Sequence, residues 1–271
     1  MIEQLRRHWA IESLSQLEFY QSIQWLDQVD STNRYLDRQI KASQIRLPSI
    51  AVADTQTAGA GRSGNPWYSP QGCLMFSMAI EHSWLQSQDN PDALPLLPLE
   101  VGLAVAHALS PLVSNQPKVK WPNDVYVDDR KICGILIESG SVFSKGYVII
   151  GVGINCKVDF GLSPMQVRQS AVSLHEVFAG QDQESISCES VLIAFVQSWL
   201  ELDAQCRSQP DWIQRNWSKW DWLADRNVQV QQPTGVLIGK ADGIGKNGSL
   251  RLIDSNANRL TILSGTVRVI D

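Results

Sequence analysis

Residues 96–112 are apolar almost all round, with Leu99, Val101, Leu103, Ala104, Val105 and Leu109 on every side of a helix. A helix without a polar face must be covered on all sides, so it belongs in a layered core against a sheet. The flanking sequence supplies that sheet. Residues 23–28, 49–53 and 73–80 read as strands before the helix, and 125–127, 132–138 and 147–154 as strands after it. Asp128-Asp129-Arg130-Lys131 reads as a hairpin turn. Residues 3–20 read as a short polar helix, and Asp30-Ser31-Thr32-Asn33 offers N-cap side chains for another. Val191, Leu192, Phe195, Val196, Trp199 and Leu200 recur at helical spacing, and a further helix is expected over 211–223, after Pro210.

The pattern changes near Arg226. Beyond it only short alternating strands are expected, at 228–230, 235–241, 249–253, 259–262 and 267–270, with a turn over 243–248. This reads as a small β-barrel. The fold class is therefore α+β: a mixed β-sheet with helices over residues 1–225, followed by a small β domain over 226–271.

Composition excludes several classes. The net charge is -5 and no basic stripe is present, so binding to nucleic acid is not expected. No run of about 18 apolar residues exists, and residues 1–9 lack an apolar leader core, so neither a membrane span nor a secretory signal is expected. The five cysteines are odd in number and lack a C-x-x-C, which points to a reducing cytoplasmic setting rather than disulfides or zinc. The four histidines have no metal spacing. The cluster Trp212, Trp217, Trp220 and Trp222 reads as core packing.

Three segments carry possible chemistry. The first runs from Gly59 through Gly61, Arg62 and Gly64 to Trp67. Glycines let backbone N–H groups approach an anion, and arginine can add a bidentate contact. The segment is neither a Walker A loop nor a Rossmann fingerprint, and alone it reads equally well as a flexible surface loop. The second is Lys120-Trp121-Pro122-Asn123-Asp124, followed by Arg130-Lys131 and Glu138. Lys120 and Lys131, at opposite ends of the expected hairpin, could converge on one anion, and Asp124 could hold Mg2+. Gly134 interrupts an apolar strand, which often marks close approach of a ligand. Surface lysines on a hairpin fit that bare pattern better. The third is Asp30-Ser31-Thr32-Asn33, where free N–H groups at a helix start lie beside hydroxyls and an amide.

Taken in order, five segments resemble the biotin protein ligase family. They are Asp30-Ser31-Thr32-Asn33-Arg34-Tyr35-Leu36; Gln56 with the glycine loop through Trp67; Lys120-Trp121-Pro122-Asn123-Asp124 joined to Arg130-Lys131-Ile132-Cys133-Gly134-Ile135-Leu136-Ile137-Glu138; Gly151-Val152-Gly153-Ile154-Asn155; and the C-terminal β segment with its 243–248 turn. The resemblance covers residues 22–271 and implies a class II synthetase-like catalytic domain followed by an SH3-like barrel. It implies activation of biotin with ATP to biotinyl-5'-AMP, and transfer of biotin to a lysine of a biotin carboxyl carrier domain.

The resemblance also implies residue roles. Ser31, Thr32 and Gln56, with Asn33, would surround the ureido ring. Arg62 with Gly59 and Gly61 would close over the adenylate, and Trp67 would pack near the adenine. Lys131 would contact the biotin carboxylate and the α-phosphate, so Lys131 and Arg62 carry the catalysis. Lys120, Asn123 and Asp124 would serve the nucleotide and Mg2+, with Gly134 and Asn155 nearby. Two departures stand out. Ala60 occupies a position where many relatives have an arginine, and Ser63, Asn65 and Pro66 make the loop less cationic still. About 20 residues precede the catalytic region, which is too few for the DNA-binding domain of some relatives, so no repressor function is expected. Lipoate or octanoate ligases are the nearest alternative, and a non-catalytic biotin sensor is the alternative of a different class. The chain is expected to be a monomer or homodimer.

Overall fold

The computed structural model describes residues 2–85, 93–161, 163, 165–180 and 186–270. The strands of the central sheet are β1 (Ser22–Val29), β2 (Ser49–Gln56), β3 (Cys73–Glu81), β4 (Lys118–Lys120), β5 (Asp124–Val127), β6 (Arg130–Val142) and β7 (Lys145–Asn155). Their order is β1-β2-β3-β7-β6-β5-β4. β1 and β2 run parallel and the remaining pairs antiparallel, so the sheet is mixed as expected. The helices are α1 (Ile2–Gln16), α2 (Thr32–Lys41), α3 (Leu97–Leu109), α4 (Met165–Ser170), α5 (Leu174–Val177), α6 (Cys188–Ser208) and α7 (Trp212–Asn216). None of the described helices is long and apolar enough to cross a membrane.

The all-round apolar helix lies where its sequence requires. α3 packs on β4, β5 and β6 with one side, and α6 covers it from outside, with α1 against α6. Leu97, Leu99, Val101, Leu103 and Val105 are buried as a result. Strands alternate their side chains between faces. Leu74, Phe76 and Met78 of β3 and Ile150, Val152 and Ile154 of β7 enter this main core.

On the opposite face the same alternation leaves a gap. At one end α2 packs its Leu36 against Ala51, Ala79, Tyr147 and Ile149. At the other end Cys73 and Met75 cluster with Val158 and Phe160. Between them the positions facing outward are Ser77 on β3 and Gly151 and Gly153 on β7, so these strands put no apolar side chain of their own into the space.

β8 (Asn227–Gln232), β9 (Gly235–Ile244), β10 (Leu250–Ile253), β11 (Arg259–Ile262) and β12 (Thr266–Val269) form a second sheet, antiparallel throughout, in the order β11-β10-β9-β8-β12. Val228, Val230, Leu250, Leu252 and Ile262 of this sheet belong to the same apolar cluster as α3. Trp121 Nε1 donates to Gly248 O at 2.9 Å, tying the two sheets together.

Several boundaries differ from the sequence expectation. α1 ends at Gln16, and Glu18 then takes a positive φ of 53°. The helix expected over 211–223 is α7 plus a 3₁₀ turn, Trp217–Lys219. There Val119 pairs with Asp221, so the chain leaves helical geometry to meet β4. β4 itself was not expected. It places Lys120 on a strand paired with β5, while Asp128 and Asp129, both with positive φ, form the hairpin turn alone. Arg130 and Lys131 already belong to β6. Ser31 occupies the N-cap of α2, yet its side chain makes no capping bond. Gln56 Oε1 instead accepts from Thr32 N at 2.8 Å, because β2 ends beside the helix start.

Candidate active site

The gap between the two apolar clusters is the floor of a cleft. Gly134, Gly151 and Gly153 line it. The Trp67 indole lies directly against two of them: a methyl group would sit 2.7 Å from the ring at Gly134 and 2.6 Å at Gly153. Only glycine admits the indole at this depth. Trp67 arrives there because the loop before it folds back on itself, with Trp67 N donating to Gly59 O at 2.9 Å and Gly61 N to Asn65 O at 2.7 Å.

One end of the cleft is neutral and polar. Ser31, Thr32 and Asn33, at the start of α2, are all buried there, beside Gln56. Ser77 Oγ, fully buried beneath them, lies 2.6 Å from Thr32 Oγ1 and 2.5 Å from Asn33 Oδ1. Asn33 Nδ2 donates to Glu138 Oε2 at 2.7 Å.

The other end is cationic. Lys131 Nζ pairs with Asp124 Oδ1 at 2.6 Å and lies 5.3 Å from the Trp67 ring centroid. The two residues meet because β5 and β6 are paired neighbours. Arg62 NH1 donates to Asn123 Oδ1 at 3.3 Å, and Asn123 Nδ2 is itself fixed on Ile135 O at 2.7 Å. Lys120 Nζ donates to Tyr126 Oη at 3.3 Å and stands 5.1 Å from the Tyr126 and Trp222 rings. Burial lowers the Lys120 ammonium from its ordinary value. Asp124 works against this, while Lys131, Arg226 and Arg268 add to it. Burial likewise lowers the Arg62 guanidinium, again opposed by Asp124. Three cations thus face one carboxylate, and the cleft favours an anionic ligand. β12 completes the wall with Thr266 and Val267.

Ser31, Thr32, Asn33, Gln56, Gly61, Arg62, Trp67, Lys120, Asn123, Asp124, Lys131 and Gly134 all line this cleft. Two residues given binding roles by the resemblance do not. Gly59 closes the base of its loop. Asn155 is buried, with Nδ2 donating to Val172 O at 3.1 Å and Lys131 O at 3.3 Å, so it holds the Lys131 backbone from below. Among the described residues no three His, Cys, Asp or Glu side chains group as a metal site.

Residues 25–155 match the model of the biotin/lipoate A/B protein ligase family. The bifunctional ligase/repressor BirA of Escherichia coli (strain K12) is 32% identical over 232 residues, which cover 85% of this chain and 69% of that protein. The chain belongs to the biotin protein ligase family. The biotin--[acetyl-CoA-carboxylase] ligase of Mycobacterium tuberculosis is 29% identical, across 80% of this chain and 77% of that one. The biotin protein ligase from Aquifex aeolicus in complex with biotin and ATP superposes with a TM-score of 0.76 at 26% identity, covering 93% of this chain and all of that one.

Within this biotin protein ligase fold, sequence reasoning missed Ser77, Gly151, Gly153 and the β12 wall as parts of the cleft. Ser77 stands in an otherwise apolar strand, and that was its available signal. The glycines 151 and 153 alternate with Val152 and Ile154, the spacing that puts both on one face of a strand. No local pattern brings β12 to the cleft, since that contact depends on the packing of two sheets.

Proposed function

We propose that this chain activates biotin with ATP and transfers the biotinyl group to a lysine of a carrier domain. The supporting observation is that Arg62, Lys120 and Lys131 converge at one end of a cleft whose other end is neutral and polar. Biotin has that same division, a neutral ureido ring joined through an apolar chain to a carboxylate.

In this reading Ser31, Thr32 and Gln56 receive the ring, and Asn33 supports them. Trp67, on the glycine floor beside Lys131, packs near the adenine. The carboxylate oxygen attacks the α-phosphorus of ATP, a P–O bond forms and pyrophosphate leaves. Both partners are anionic, so Lys131 and Arg62 lower the barrier by neutralising charge and aligning the displacement. Lys120 and Asn123 hold the phosphates. The product is a mixed anhydride, and Arg62 with Gly61 covers it against water. The acceptor amine then attacks the acyl carbon, losing a proton as AMP departs.

Mg2+ fits the donor set in one way. Among the described residues, Asp124 is the one carboxylate lining the cleft. A single carboxylate suits a magnesium ion that completes its coordination with phosphate oxygens and water. Bound there, the ion would supply further neutralisation of phosphate charge.

The same proposal assigns residues 1–225 to the catalytic part and 226–271 to a C-terminal part that helps to wall the nucleotide end. The acceptor is a biotin carboxyl carrier domain, a reading supported by the name of the Mycobacterium tuberculosis relative. The five cysteines are all free, which suits the reducing cytoplasm. Incubation with biotin, magnesium ATP and a carrier domain, followed by intact mass, tests the proposal. One biotinyl addition on the carrier supports it, and an unchanged carrier mass overturns it.

A further inference from the structure

The two lysines of the cleft are held by different means. Lys131 Nζ is paired with the Asp124 carboxylate at 2.6 Å. Among the described residues no carboxylate lies within ion-pair distance of Lys120, and aromatic rings hold its ammonium instead. Nζ stands 5.1 Å from the ring centroids of both Tyr126 and Trp222, and donates one N–H to Tyr126 Oη at 3.3 Å. A ring face attracts a cation without occupying any of its donors. Two N–H groups and the whole positive charge of Lys120 therefore remain for a phosphate.

Tyr126 belongs to β5, the strand paired with the one that carries Lys120. Trp222 comes from the segment that leads into the second sheet, and three contacts fix it. Its backbone N donates to Val119 O at 3.0 Å, next to Lys120 on β4. Its indole Nε1 donates to Asp129 Oδ1 at 2.8 Å. The Arg226 guanidinium lies over the indole at 4.0 Å and donates to the same Asp129 oxygen at 2.7 Å. That carboxylate offsets the charge of Arg226, which would otherwise repel Lys120 across the ring. The Tyr126 and Trp222 rings are themselves in contact, with centroids 4.6 Å apart. Lys120 lines the cleft, whereas neither ring does.

We propose that Trp222, anchored by Asp129, is a positioning residue for Lys120, supplying the ring face that aims the ammonium at the triphosphate of ATP. Trp222 does not touch the nucleotide and acts through the lysine. The inference rests on the function proposed above, in which Lys120 holds the phosphates. Arg226 leads directly into β8, so the same contacts tie the start of the second sheet to the lysine.

The test is a double-mutant cycle, read as the KM for magnesium ATP in biotin-dependent pyrophosphate exchange. Trp222→Leu removes the ring but keeps an apolar side chain and the backbone bond to Val119. It is expected to raise the KM for ATP about tenfold, the scale of a cation–π contact partly withdrawn from water. The KM for biotin and kcat should change little, because the lost contact serves ATP binding alone. Trp222→Phe restores a ring face and should recover most of the loss. Asp129→Gly removes the anchor at a position whose φ of 60° suits glycine, and should raise the KM for ATP about threefold. In a Lys120→Met background, already weak for ATP, Trp222→Leu should add nothing further. Full additivity of Trp222→Leu and Lys120→Met overturns the inference, as does a parallel rise in the KM for biotin, the mark of a generally loosened fold. Both outcomes leave the biotin reading standing. A wild-type chain without biotin-dependent exchange overturns that reading first, and the inference with it.

Discussion

At the scale of single residues, the chemistry is assigned to charges that are poorly solvated and close together. Lys131 is only partly exposed and is held from three sides, by Asp124, by Trp67 and through Asn155 on its backbone. Lys131→Ala is expected to lower biotin-dependent adenylate formation by about a thousandfold, the scale of removing a preorganised charge from a transition state. Its melting temperature should move far less, because a partly exposed ion pair contributes on the order of 1 kcal/mol. Single-turnover kinetics beside thermal melting separates the two effects. Equal losses in both would make Lys131 a structural residue. Arg62→Gly is expected to leave the cleft standing but let the adenylate escape, since Arg62 is the one basic residue in the loop from Gly59 to Trp67. Mass spectrometry should then find biotin on lysines of unrelated proteins added to the reaction. Labelling confined to the carrier domain would contradict the loop assignment. These residues were legible in the sequence because cations and glycines at such spacings are unusual in strands and turns. Ser77 was not, because one hydroxyl in an apolar strand has no periodicity to read.

At the scale of elements, the α3–α6 contact carries a buried acid outside the cleft. Glu100 on α3 is buried and accepts from Trp199 Nε1 of α6 at 3.1 Å. Burial, with Asp203 nearby and against the pull of Arg207 and Trp199, raises its carboxyl to about 8. The folded chain therefore holds this proton to a higher pH than the unfolded chain, where the carboxyl titrates near its ordinary value. The stability from the neutral form is complete below about pH 4.3 and is lost as pH rises towards 8, by roughly 1.4 kcal/mol per unit. Glu100→Gln has no such loss. Its melting temperature should gain on wild type steadily from pH 5 to 8 and stay level above that. A constant difference across this range would refute the assignment. The elements themselves were largely visible in the sequence. α3 was legible from its almost continuous apolar surface, and the β5–β6 hairpin from its two aspartates. β4 was not, because three residues give no alternation to recognise and the bridge on its other edge, at Asp221, lies about 100 residues away. The early end of α7 has the same cause, a bridge that only the assembled sheet provides.

At the scale of the whole molecule, two sheets share one core. Val228, Val230, Leu250 and Leu252 of the second sheet cluster with α3, and Trp121 spans the junction. Calorimetry should therefore show a single unfolding transition, with van't Hoff and calorimetric enthalpies in agreement. Two resolved transitions would mean that the C-terminal sheet is held only loosely. The shared core also explains how β12 reaches the wall of the cleft, which no segment read in isolation could show. Exchange of labelled pyrophosphate into ATP tests the central claim most directly, that one cleft brings a carboxylate and a nucleotide together against their repulsion. It reports carboxylate activation without requiring any acceptor. The account predicts exchange that depends on biotin and magnesium, is absent with lipoate, and is abolished by Lys131→Ala. Exchange driven equally by lipoate, or undiminished in Lys131→Ala, would contradict it.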